Sequence, residues 1–170
     1  MTHKRVGLVF LSELEQGTVE EVVGQVSRSL ETEVFISKSL RCDGGFDSAR
    51  GQWLANTMIE LCVKPYASPD CHTLGLTDRD LYVPQLNFVF GLASKEAGVA
   101  VVSWHRLTGE GAVLSTRIVK EVVHEVGHLE GLDHCPNDDC VMWFSNTLWE
   151  TDRKKADFCP KCRLKRGEQS

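Results

Sequence analysis

Two groups of residues in this chain have the types and spacing of metal ligands. The first is His124, His128 and His134, within H-E-V-G-H-L-E-G-L-D-H. Positions four apart on a helix are rotated by only about 40°, so His124 and His128 project from one face. Tetrahedral coordination cannot be completed from one helical stripe, so a third ligand must come from another direction. Gly131 lets the chain leave the helix with positive φ, and His134 can then swing back as that ligand. Three neutral imidazoles leave a fourth position open for water, the mark of a catalytic zinc site. Glu125 lies about 100° around the helix from His124, beside the metal rather than on it. It is expected to act as a general base on the metal's water during attack on a carbonyl. The alternative is a solvated helix carrying histidines by chance. Adding Gly and a third His at fixed offsets makes such a chance match roughly a thousandfold rarer than H-E-x-x-H alone.

The second group is Cys135, Cys140, Cys159 and Cys162. Two cysteine pairs with this spacing fit a closed, four-coordinate structural zinc site. The expected cofactor is therefore Zn²⁺, two per chain. Four thiolates around one zinc leave a net charge near −2, which the basic run Lys161, Arg163, Lys165 and Arg166 is expected to offset. A redox C-x-x-C belongs at the start of a helix in a βαβ unit, not in a tail, and disulfides are disfavoured in a cytosolic chain. Cys42, Cys62 and Cys71 have no partners at ligand spacing. Cys62 is expected to pack in a helix, Cys42 and Cys71 to be inert loop thiols, and His72 and His105 to be bystanders.

The elements that must position these residues follow from hydrophobic periodicity. Strands are expected at His3 to Leu11, Glu33 to Ser37, Thr73 to Asp78, Phe88 to Phe90 and Gly98 to Trp104. Helices are expected at Thr18 to Leu30, Ala49 to Val63 and Ala112 to Leu129, with Gly131 ending the last. Loops fall at Arg41 to Phe46 and Pro65 to His72. This alternation predicts an α/β chain with a mixed, mainly parallel twisted sheet, helices on it and an active-site helix. After Cys135 aliphatic residues thin out, and a segment that short cannot supply its own core. One domain over residues 1–170 is expected, with an N-terminal lobe over 1–131 and a small zinc-stabilised C-terminal lobe over 132–170. Structural zinc binding, roughly 10–16 kcal/mol at neutral pH, would explain how that lobe folds.

Composition narrows the function classes. A hydrophobic fraction of 42% and a charged fraction of 25% are ordinary for a globular chain. A net charge of −5 gives no nucleic-acid surface. The apolar run Val6 to Leu11 is too short for a signal segment or a membrane span and reads as a buried strand. A cytoplasmic location is expected, with no membrane partner.

These motifs resemble the metzincin class of zinc peptidases, with H-E-x-x-H-x-x-G-x-x-H and a downstream methionine turn. Within it the sequence resembles the archaemetzincins, because Cys135 directly follows the third histidine and Cys140, Cys159 and Cys162 complete a second site. T-D-R-D-L-Y, N-F-V-F-G and V-A-V-V-S add to the likeness, which covers about Leu74 to Cys162. The resemblance implies a zincin-like fold and a cleft between two lobes. It implies Met142 as an apolar floor beneath the metal, and the segment Asn87 to Gly91 as an edge strand able to pair with an extended peptide. Phe144 stands where some metzincins carry a tyrosine, so no phenol is available there. No secretory leader or inhibitory segment is evident. An unrestrained cytosolic peptidase therefore implies narrow specificity, restricted access to the zinc or weak activity. The expected function is zinc-dependent peptide hydrolysis. A non-hydrolytic zinc protein that binds a peptide or protein partner stands beside it, disfavoured by the presence of Glu125.

Overall fold

A continuous apolar run near the N-terminus forms β1 (Arg5–Phe10), the second strand of a five-stranded sheet. A computed structural model of the chain describes residues 3–167. After β1 come α1 (Gln16–Leu30), β2 (Val34–Ser39), β3 (Phe46–Asp47), β4 (Gln52–Leu54) and α2 (Ala55–Met58). Then follow β5 (Cys71–Thr77), β6 (Leu81–Tyr82), β7 (Gly91–Ser94), β8 (Val99–Ser103), α3 (Gly111–Leu129), α4 (Leu148–Arg153) and α5 (Pro160–Arg166). The main sheet has the order β2-β1-β5-β8-β7. Its first four strands are parallel, and β7 is an antiparallel edge. The α/β class and the mainly parallel sheet are as the periodicity predicts.

Successive side chains on a strand face opposite ways, so the sheet buries two apolar surfaces. Val6, Leu8, Leu74, Leu76, Ala100 and Val102 pack with α1 and α3 on one side. Val9, Leu11, Val99 and Val101 pack on the other against Met58, Ile59, Cys62 and Val63. The cysteine-bearing tail has no separate core. Val141, Met142, Phe158 and Cys162 join the cluster that contains α3.

Three expectations need correction. Residues from Ala49 do not form one helix: Trp53 and Leu54 lie in β4, within a second sheet of order β3-β4-β6. Gly51, at φ 67°, turns the chain there, and Trp53 N–H donates to Asp80 O. Tertiary pairing thus overrides a helical spacing, and the helix runs only from Ala55 before passing into a π-turn at Ile59–Val63. Phe88 to Phe90 is not a strand, and the edge strand implied at Asn87 to Gly91 lies one step on, at Gly91–Ser94.

The third correction concerns the cysteines. Cys42 and Cys62 form a disulfide with Cα atoms 5.8 Å apart, and Cys71 lies buried in β5 rather than in a loop. Sequence spacing could not pair two residues brought together by a loop and a π-turn. The bridge encloses Arg50 and Gln52, which donate to the carbonyls of Leu86 and Asn87. Closing a loop of this length removes about 3 kcal/mol of chain entropy from the unfolded state. Reducing the bridge should lower the unfolding free energy by about that amount, as read by a denaturant midpoint with zinc held constant. An unmoved midpoint would show that the bridge contributes nothing.

Candidate metal centre

The first turn of the site is built by α3. Ile118, Val119, Val122, Val123 and Val126 bury its apolar face, which leaves His124 and His128 on the stripe that faces the cleft. Gly131 takes φ 92°, so the helix ends there, and the next residues carry His134 back toward the other two imidazoles. Ligand nitrogens of His124, His128 and His134 lie within 4.8 Å of one another.

The hydrogen bonds around them define the tautomers. His124 Nδ1 sits 2.8 Å from Val141 O, and His128 Nδ1 sits 2.8 Å from Leu132 O. A carbonyl accepts only, so each Nδ1 carries the proton. Both Nε2 atoms then bear lone pairs, yet they face each other at 3.0 Å. Two acceptors cannot satisfy one another, and a shared cation resolves the conflict. Zn–N bonds of ~2.0–2.1 Å at a tetrahedral angle place two nitrogens ~3.3 Å apart, so the donor set fits. The carbonyl partners are the outer contacts that fix ligating histidines elsewhere.

Glu125 is almost fully buried and lies against β7: a methyl group at Gly91 would stand 2.5 Å from its Oε1. Only glycine leaves room for this carboxylate at the cleft. Burial first, and Glu121 second, push the Glu125 carboxyl up to about 8 against the opposing pull of Lys154. Lys154 and Glu121 form a buried ion pair at 3.1 Å one turn from Glu125. Glu121 also accepts from Ser145 Oγ and Thr151 Oγ1, tying α3 to the segment past Met142. Sequence reading missed this pair. K-E-V-V-H-E and D-R-K-K resemble solvated charge runs, and nothing local marks the two members as partners.

Met142 is wholly buried, and its Sδ packs so close to Gly127 that no side chain fits there. It lies against Gly127, in the helical turn between His124 and His128. Phe144 stacks edge-on against His134 with centroids 5.1 Å apart. The cleft, about 460 Å³, runs between the β7 side, with Leu86, Phe88 and Gly91, and the Phe144–Asn146 side.

The second cluster brings Cys135, Cys140, Cys159 and Cys162 together, again within 4.8 Å. Cys135 Sγ and Cys159 Sγ are 3.8 Å apart, beyond any disulfide and close to the ~3.8 Å edge of a tetrahedron of ~2.3 Å Zn–S bonds. Cys159 caps α5, so C-P-K-C does begin a helix, with Pro160 in the first turn. Burial raises the Cys159 thiol, but the Cys162 N–H and the neighbouring thiols outweigh it and bring it down to about 7. The basic run is not simply a counter-charge: Arg166 pairs with Glu130, and Arg163 lies near Glu31 and Asp157. His105 Nδ1 meets Asp78 O, and His72 is buried in β5, both away from the cluster.

Without metal, all three imidazoles are held below the usual value of 6.5, each chiefly by burial. The unfolded chain binds their protons below pH 6.5 while the folded chain resists, which destabilises the fold as pH falls. Glu125 acts oppositely, because folded Glu125 holds a proton between about 4.5 and 8 that the unfolded chain releases. From pH 8 to about 7 Cys159 offsets the stability gained from Glu125, because its folded thiol, at about 7, is ionised where the unfolded thiol, with its usual value of 9, still holds a proton. Below 6.5 three histidines outweigh one glutamate, and stability should drop. Melting of the zinc-stripped chain across pH 5–8 should show a drop below pH 6.5, and a rise continuing toward pH 5 would contradict the burial of neutral imidazoles.

Residues 67–166 match the model of peptidase family M54. An archaemetzincin of Pyrobaculum aerophilum is 46% identical over 132 residues, 78% of this chain and 82% of that protein. The crystal structure of archaemetzincin from Methanopyrus kandleri superposes with a TM-score of 0.84 at 36% identity, covering 97% of this chain and 94% of that one. A zinc-dependent peptidase from Methanocorpusculum labreanum gives 0.84 at 35% identity, over 95% and 99% of the two chains. The chain thus belongs to peptidase family M54, the archaemetzincin family of zinc metallopeptidases.

Proposed function

We propose that the chain hydrolyses peptide bonds with Glu125 as general base, at a zinc held by His124, His128 and His134. The observation that carries this is the pair of converging, unprotonated Nε2 atoms beside a buried carboxylate. Zinc bound there would supply an open position for water and positive charge for a carbonyl oxygen. The chain's own residues do the rest. Val141 O and Leu132 O hold the two imidazoles in the tautomer that presents Nε2. Glu125 accepts the proton of the attacking water at a carboxylate oxygen and returns it to the nitrogen of the departing amine. The β7 edge can pair with an extended peptide backbone, and Leu86, Phe88 and Phe144 offer it apolar contact.

In the same reading a second zinc, on Cys135, Cys140, Cys159 and Cys162, is structural, giving two per chain. The division near Gly131 into an N-terminal lobe and a cysteine-bearing C-terminal lobe belongs with it. A cleft of this modest volume supports narrow specificity for short peptides or one extended segment. Among the described residues no helix is long and apolar enough to cross a membrane. We place the work of the chain in the cytoplasm, where the four clustered thiols stay reduced and able to load metal, the Cys42–Cys62 bridge being the exception to that rule. The reading is tested by comparing hydrolysis of short peptides by the zinc-loaded chain and by Glu125→Gln.

A further inference from the structure

The cleft has one cation on its wall among the described residues, Lys95, directly after the edge strand β7. Other basic side chains near the site are committed. Lys154 pairs with Glu121, Arg106 with Asp80, and Arg166 with Glu130. Lys95 makes no ion pair or side-chain hydrogen bond among the described residues, and Asp133, exposed on the same wall, lies beyond ion-pair reach of it.

Its placement is nonetheless defined. A methyl group at Gly131 would stand 2.8 Å from Lys95 Nζ, so the ammonium lies over the end of α3. The partial negative charge of a helix C-terminus attracts an ammonium without neutralising it. The side chain thus passes over the same glycine that frees His134 to turn back, and its charge remains open to a substrate.

Register gives the distance. Gly91 lies against Glu125, and Lys95 is four residues further along. At ~3.3 Å per residue that is ~13 Å. A peptide paired along β7 with its scissile bond beside Glu125 brings a residue three or four positions away to Lys95. We propose that Lys95 is a specificity-determining residue that selects substrates carrying a carboxylate there, from an Asp or Glu side chain or from the chain terminus. This inference rests on the peptidase reading above.

The test uses a series of short internally quenched peptides with one constant apolar cleavage site. A single Asp is scanned through four positions on each side, and each peptide has a free or an amidated C-terminus. In the zinc-loaded wild type, Asp at one position three or four residues from the cleaved bond should raise kcat/KM about 5-fold over Asn, mainly through KM, the scale of a half-exposed ion pair. Lys95→Met should bring that ratio to one, Lys95→Arg should restore it, and Lys95→Glu should move the preference to Lys at the same position. A preference for the free over the amidated terminus, with no Asp position favoured, would identify the terminal carboxylate as the ligand. Equal Asp-to-Asn ratios in wild type and Lys95→Met, with no terminus preference, would overturn the inference while leaving hydrolysis standing. If no peptide is cleaved, fluorescence anisotropy reads the same series. Carboxylate-dependent binding abolished by Lys95→Met would sustain the site and refute the hydrolytic reading, and its absence would refute the site.

Discussion

Glu125→Gln is expected to keep its fold and its zinc while turnover of short peptides falls by at least 10²–10⁴-fold, the usual cost of losing a general base. Glutamine has the size of glutamate, so the tight fit against Gly91 is kept. It removes the carboxylate's capacity to take a proton and leaves the imidazole geometry untouched, because His124 and His128 are fixed by backbone carbonyls rather than by Glu125. The raised value near 8 belongs to the chain without metal. Two positive charges beside a carboxylate favour its ionised form, so in the proposed mechanism zinc would leave Glu125 a competent base at neutral pH. Peptide affinity should hold, since the β7 edge and the apolar cleft walls are unchanged. Hydrolysis that survives the substitution at near full rate would refute Glu125 as the base. A wild type with no turnover and a variant with unchanged peptide affinity would favour a binding protein. Short peptides of varied sequence are the right substrates, because an extended peptide can pair along the β7 edge.

What the sequence made legible, and what it hid, divides along the range of the interactions. His124, His128 and Gly131 act through helix geometry, which spacing reports directly, and the end of α3 lies where Gly131 predicts it. The five-stranded sheet is readable because parallel strands buried on both faces carry long apolar runs such as Val99 to Val102. Three features were not readable. Trp53 and Leu54 have helical spacing, yet they pair with Leu81 and Tyr82. Cys42 and Cys62 meet through a π-turn that no local pattern specifies. Lys154 and Glu121 are separated by more than thirty residues, and each alone looks like solvent-facing charge. Each miss is a long-range pairing that wins over a local preference. The edge strand was placed too early for a related reason. Phe88 to Phe90 has strand composition, but Phe90 O accepts a single sheet bond, from Ser103 N, and regular pairing begins only at Gly91.

Cys159→Ser is expected to give the second large effect: loss of one zinc, a fall in unfolding free energy of several kcal/mol, and a loss of peptidase activity out of proportion to distance. A hydroxyl is a poor zinc ligand, and a structural zinc contributes ~10–16 kcal/mol when all four thiolates bind. The short tail elements cannot replace it, since α4 and α5 have six and seven residues and contribute little more than Leu148 and Cys162 to the main cluster. The effect reaches the histidines through the segment from Cys135 to Met142. Cys135 follows His134 directly, and its N–H donates to Met142 O. Cys140 precedes Val141, whose carbonyl holds His124 Nδ1, and Met142, which lies against Gly127 in α3. One short segment thus bears two of the four thiols and the supports of the first and third histidines. In the wild type a mild chelator should remove one zinc first, from the open site with neutral ligands, and leave the fold largely intact. In Cys159→Ser the order should be lost, with metal leaving both sites as the tail loosens. The measurements are zinc per chain by elemental analysis, melting temperature, and peptide turnover during stepwise chelation. Unchanged zinc content and melting temperature in Cys159→Ser would rule out the structural role. Simultaneous loss of both zincs with global unfolding in the wild type would rule out two sites of unequal lability.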